Sequence, residues 1–178
     1  MTTTTRNIFL VGPMGAGKTA VGRRLARDIG AEFCDSDAVI EARTGVDIPY
    51  IFEKEGEDGF RRREADIVEE LTGADDIVLA TGGGAVMVEE NRTRLADRGT
   101  VVYLHATVAQ QLERTSHNKN RPLLMSGDPE RILADLMDRR DPLYREIASI
   151  IVETDGRSVA DVAGEIRARL DDSEAATP

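Results

Sequence analysis

Gly12-Pro-Met-Gly-Ala-Gly-Lys18-Thr19 fills all four fixed positions of G-x-x-x-x-G-K-[ST], and its flanks meet the mechanical requirement of that pattern. The apolar run Ile8-Phe-Leu-Val11 before it predicts a buried strand. Val21, Leu25 and Ile29 after it, four residues apart, predict a helix. At such a junction glycines let successive backbone N–H groups turn inward around an anion, and the helix N-terminus adds partial positive charge. Gly15, Ala16, Gly17, Lys18, Thr19 and Ala20 thus form the candidate cradle for a nucleoside triphosphate. Lys18 would reach the outer phosphates, and the Thr19 hydroxyl would be a ligand for Mg²⁺.

Working outward, further apolar runs predict strands at 31–34, 77–80, 101–104 and 150–152, with helical patterns between them. The last is the clearest, with Val159, Val162, Ala163, Ile166 and Leu170 at helical spacing. Strands alternating with helices imply right-handed crossovers and a parallel sheet covered on both faces. The expectation is one doubly wound α/β domain of five strands, with ligands outside the carboxyl ends of the strands. Two stretches interrupt the alternation. Residues 36–72 read as two or three helical pieces broken near Gly45 and around 56–59, and residues 115–128 are polar and turn-rich. They are the candidates for a substrate-binding region and a moving cover.

Each remaining motif follows a predicted strand. Asp35 and Asp37, in Cys-Asp-Ser-Asp, face one site if the extended backbone persists, one supporting a metal through water and the other orienting or deprotonating a hydroxyl. A helix cap near Ala38 is the alternative use of one of them. Gly82-Gly83-Gly84 would admit a ligand close to the backbone. Of Arg61-Arg62-Arg63, at most one should point inward. Arg121, before Pro122, could close over a transferring phosphoryl group, and Arg140 suits a two-pronged grip on a carboxylate. From spacing alone each of these arginines also fits an ordinary surface position.

Bulk properties narrow the class. The chain has 178 residues, 40% hydrophobic and 31% charged, and a net charge of −10 that argues against a nucleic-acid partner. No apolar run approaches a membrane span, no secretory h-region is visible at the start, and the single cysteine, Cys34, makes no internal disulfide. These features together predict a cytoplasmic protein that binds neither nucleic acid nor membrane. His105 and His117 are isolated, so no zinc site is expected. Asn118-Lys-Asn-Arg121 lacks the aspartate of the guanine-reading N-K-x-D, which counts against a GTP switch.

Taken in order, Gly12–Thr19, Asp35-Ser-Asp37, Gly59-Phe-Arg61, Ala80-Thr-Gly-Gly-Gly84, Arg121-Pro-Leu-Leu and Arg140-Asp-Pro-Leu-Tyr144 resemble the shikimate kinases over about residues 6–170. The resemblance implies a three-layer P-loop kinase fold: a five-stranded parallel sheet with helices on both faces, forming one domain. The core would be about 6–35, 73–114 and 129–171, with the substrate-binding region at 36–63 and the lid at 115–128. It implies phosphorylation of the 3-hydroxyl of shikimate by ATP, with Mg²⁺, in the route to chorismate and the aromatic amino acids. Lys18 and the loop amides would hold the β- and γ-phosphates, while Thr19 and Asp35 serve the metal. Asp37 would bind the shikimate hydroxyls as base or orienter. Arg61 and Arg140 would clamp its carboxylate, with Gly82, Gly83 and Gly84 lining the pocket, and Arg121 would come from the lid onto the phosphates. Arg114 and Arg157 fall where the family flanks adenine, and the family expectation is a monomer. Two other readings share the loop: a kinase of another small polar acceptor such as gluconate, and a slow nucleotide-binding regulator.

Overall fold

Five strands form one all-parallel sheet in the order β2-β3-β1-β4-β5. They are β1 (Ile8–Val11), β2 (Glu32–Asp35), β3 (Ile77–Ala80), β4 (Thr100–His105) and β5 (Ile150–Glu153). Among the described residues seven α-helices accompany them: α1 (Lys18–Ile29), α2 (Ser36–Thr44), α3 (Ile48–Thr72), α4 (Glu89–Arg98), α5 (Val108–Thr115), α6 (Pro129–Ile147) and α7 (Val159–Ala175). The structure, a computed structural model, describes residues 6–116, 124 and 127–176. Among the described residues no helix is long and apolar enough to cross a membrane.

The two-residue period of the strands divides the core. Ile8, Leu10, Val78, Val102, Leu104 and Val152 face one side, where Val21 and Leu25 of α1 and Val162 and Ile166 of α7 cover them. Phe9, Val11, Leu79, Val101 and Tyr103 face the other, against Val68 of α3, Leu95 of α4 and Tyr144 of α6. Because β1 is buried on both faces, its four residues are apolar without alternation, and the phosphate loop starts from the stiffest part of the sheet. A smaller cluster, Ile40, Ile51, Phe60 and Ile67, fastens α2 to α3.

Strand boundaries move slightly from expectation. β2 begins at Glu32 because the Ala31 N–H is spent on the Ala26 carbonyl at the end of α1, while Glu32 N–H reaches Asp76 across the sheet. Residues 36–72 form two helices divided at Gly45, and α3 is itself broken at Gly56, whose φ of 71° and ψ of 179° interrupt its helical path. That break re-aims the second half of α3, so that Gly59, Phe60 and Glu64 turn into the protein.

Candidate active site

The carboxyl ends of β1, β2 and β3 open into a cleft of about 510 Å³. Its donor end is the loop after β1. Gly17 caps α1 in the left-handed region at φ 88°, with no side-chain hydrogen bond to the helix and no acidic residue in the first turn. The first-turn amides are therefore left for an anion, which the helix dipole favours there. Gly15, Gly17, Lys18, Thr19 and Ala20 line the cleft. Ala16 instead packs its methyl group into the core, so its contribution to an anion site would come through its amide. Lys18 Nζ donates to the Gly12 and Pro13 carbonyls at 2.7 and 2.8 Å, folded back along its own loop.

Asp35 and Asp37 both line the cleft, though not by the expected route. The extended backbone ends at Asp35, which is the N-cap of α2; its Oδ1 accepts from the Asp37 and Ala38 amides at 3.0 and 3.2 Å. Its Oδ2 accepts from the Thr19 hydroxyl at 2.7 Å. Cap and site are thus one residue, not alternatives. Thr19 Oγ1 and Asp35 Oδ2 together offer hard oxygen donors beside the loop, the chemistry that Mg²⁺ prefers.

At the acceptor end, one arginine of the Arg61–Arg63 run points inward: the Arg61 side chain is 13% exposed, whereas Arg62 and Arg63 are exposed. Its guanidinium donates to Glu64 at 2.8 Å and to Glu57 at 3.2 Å. Arg140, 4% exposed on α6, faces the same cleft. Burial presses its pKa down, and the Arg61 charge adds to that. For Arg61, burial pulls the same way, but Glu64 and Glu57 outweigh it and leave the pKa raised. Two guanidiniums lining one cleft have the charge and donor geometry that suit a carboxylate.

The triple glycine lies between these ends and its lack of side chains is used. A Cβ on Gly82 would lie 2.6 Å from Glu64 Oε2 and 2.9 Å from Asp37 Oδ1; one on Gly84 would collide with the Arg61 guanidinium. The Gly82 N–H donates to the buried Ser36 hydroxyl at 3.0 Å, and the Gly83 carbonyl accepts from the Tyr144 hydroxyl at 2.5 Å. Burial raises the Tyr144 phenol to about 12, so it remains a donor at neutral pH.

Two residues here escape a reading of the sequence. Glu64 is fully buried, and burial pushes its carboxyl up to about 7 despite Arg61. Its signal was present, three residues after Arg61 on the same helix face, but it lies in a charged stretch that reads as solvated surface. Tyr144 stands one turn beyond Arg140 and supports both that arginine and the glycine loop.

The two arginines expected beside adenine meet at the Thr154 carbonyl. Arg114 donates to the Gly15 carbonyl at 2.8 Å and to Thr154 O at 2.9 Å, behind the phosphate loop. Arg157 donates its backbone N–H to the same Thr154 carbonyl at 3.2 Å, and its side chain pairs with Glu165 at 2.6 Å. Neither lines the main cleft. Arg121 lies outside the described residues, as does His117.

The family model for shikimate kinase matches residues 14–171. The chain belongs to the shikimate kinase family. It is 60% identical to the shikimate kinase of Halorhodospira halophila over 92% of both chains. A solved shikimate kinase from Acinetobacter baumannii in complex with shikimate superposes with a TM-score of 0.94 at 54% identity, covering 96% of this chain and 95% of the other. A gluconokinase from Sinorhizobium meliloti, at 20% identity and a TM-score of 0.62 over 95% of each chain, shares the fold alone. The family and the five-stranded parallel P-loop architecture therefore agree with the motif reading.

Proposed function

We propose that this chain transfers the γ-phosphoryl group of ATP to the 3-hydroxyl of shikimate, giving shikimate 3-phosphate and ADP in aromatic amino acid biosynthesis. The observation that carries this reading is that Arg61 and Arg140 line one cleft together with Asp37 and the loop lysine. A carboxylate held by both arginines leaves the ring hydroxyls of a small acid toward Asp37 and the phosphate loop. Asp37 then orients the attacking hydroxyl and accepts its proton. Lys18 exchanges the Gly12 and Pro13 carbonyls for the β- and γ-phosphate oxygens, and the amides of residues 15–20 complete the cradle. Thr19 and Asp35 would hold Mg²⁺, which when bound supplies positive charge at the phosphate oxygens. Arg121, from a lid at 115–128, would neutralise the transferring group and exclude water, while Arg114 and Arg157 border the adenine.

The same reading makes the enzyme a cytoplasmic monomer acting on small molecules. Its net charge of −10 disfavours nucleic acid and anionic membrane surfaces. A coupled ADP-release assay tests the assignment, with shikimate, quinate and gluconate each offered with Mg-ATP. Turnover is expected with shikimate; its absence, or preference for gluconate, would overturn the proposal.

A further inference from the structure

Glu64 is a carboxyl group that phosphoryl transfer does not call for, in the most buried position of the site. One oxygen accepts from Arg61 at 2.8 Å, while the other, Oε2, is buried and has no hydrogen-bond donor among the described residues. That orphan oxygen is turned toward Gly82, the same point that Asp37 Oδ1 approaches. The groups facing Glu64 are Arg61 on its own helix, with Glu57 beyond that arginine, Asp37 at the head of α2, and Arg140 and Tyr144 on α6. The empty acceptor wall thus holds two guanidiniums against the carboxylates of Glu64 and Asp37. An entering carboxylate adds further negative charge and shares the Arg61 guanidinium with Glu64. In a cleft of low dielectric the cheapest remedy is a proton, and the donor-free Oε2 is where it can go without breaking the Arg61 contact at Oε1.

We propose that Glu64 is a proton-linked positioning residue: it holds Arg61 in line in the empty site, and it takes up a proton from solvent when the acceptor's carboxylate engages that arginine. The inference rests on the reading of shikimate as acceptor. With the free carboxyl near 7, most of the empty enzyme is ionised at Glu64 about pH 8, and binding raises its pKa further. Affinity for shikimate is then flat well below pH 7. It weakens as pH rises above 7, by up to about tenfold per unit, until the pKa of the bound state is passed.

The test is calorimetric titration of the full chain with shikimate near pH 8, in phosphate, HEPES and Tris, whose ionisation enthalpies differ. The slope of binding enthalpy against buffer ionisation enthalpy counts the protons. Wild type should take up between about a half and one proton per shikimate. Glu64→Gln, which keeps the acceptor oxygen for Arg61 but has no proton to gain, should bind with a slope near zero and with affinity independent of pH from 6 to 9. A purely structural glutamate would leave the proton count of wild type at zero. That result, or a count unchanged in Glu64→Gln as expected if Asp37 titrates instead, overturns the proposal. If Glu64→Gln fails to fold or bind, the wild-type proton count and pH dependence decide alone. Absence of both binding heat and phosphorylation with wild type would overturn the acceptor assignment itself.

Discussion

Replacing Gly82 with alanine probes the acceptor site without touching a charge. The glycine is not in the left-handed region, so alanine brings no backbone strain, only a methyl group. That methyl would stand 2.6 Å from Glu64 Oε2 and 2.9 Å from Asp37 Oδ1, where ordinary contact begins at 3.4 Å. Each oxygen must therefore retreat by about 0.5–0.8 Å. Such a shift moves the Asp37 carboxylate from its place in the cleft and disturbs the Glu64 contact with Arg61. Misplacement of a reacting group by about 1 Å costs on the order of a hundredfold. Gly82→Ala should accordingly lose about 10- to 100-fold in kcat/KM for shikimate, roughly 1.4–2.7 kcal/mol of transition-state stabilisation. Overpacking should also lower stability by about 1–3 kcal/mol. Nucleotide affinity should change little, because the loop after β1 is a separate segment. Steady-state ADP release, ATP titration and thermal melting together measure these effects. Gly164→Ala, where a Cβ would meet nothing within 4 Å, is the matched control and should keep full activity. A Gly82→Ala enzyme within threefold of wild type would refute the crowding argument.

Other substitutions separate the roles of the remaining residues. Asp37→Asn should abolish most turnover while leaving ATP binding intact; near-normal kcat would remove Asp37 from the chemistry. Arg140→Ala should raise the KM for shikimate by about 10- to 100-fold through loss of a charge-assisted pair, about 1.5–3 kcal/mol, and an unchanged KM would place the clamp elsewhere. Tyr144→Phe leaves the Gly83 carbonyl without its donor and should lower stability by about 1–3 kcal/mol. In melting experiments an unaltered Tm would show that the bond is not formed in solution. Asp35→Asn should raise the Mg²⁺ concentration needed for half-maximal rate, and the same requirement as wild type would count against a role at the metal.

The fold was legible because its signals are local. β1 and β3 are unbroken apolar runs, each followed within two residues by a glycine, and α7 carries a clean helical period. The donor half of the site was legible for the same reason, since eight consecutive residues contain it. The acceptor half is assembled from α2, α3, the loop after β3 and α6, and no single segment announces it. Arg61 and Arg140 look like surface arginines until packing buries them. Only the ordered set of motifs, and so the family resemblance, picked them out. Glu64 stayed hidden because the break at Gly56, which sets the direction of the second half of α3, fixes which of its charged residues turn inward. Asp35 was misjudged in a different way. Cap and ligand were weighed as competing uses, yet one carboxylate oxygen caps α2 while the other, bonded to Thr19, lies beside the phosphate loop.

That double use has a mechanical consequence for a two-substrate site. The Thr19 hydroxyl belongs to the first turn of α1, where the phosphates are expected, while the Asp37 and Ala38 amides begin the helix that carries the acceptor's aspartate. Asp35 bonds all three, so one carboxylate sets the separation between the donor and acceptor ends of the cleft. α2 is also held by the Gly82 N–H donating to Ser36 and by the small cluster around Ile40, Ile51 and Phe60. Asp35 itself is fixed at the end of β2, paired in register with Ala80, two residues before the triple glycine. On the proposed role of Asp37, in-line transfer depends on its distance from the loop, which Asp35 bridges through its bonds to Thr19 and to the Asp37 amide.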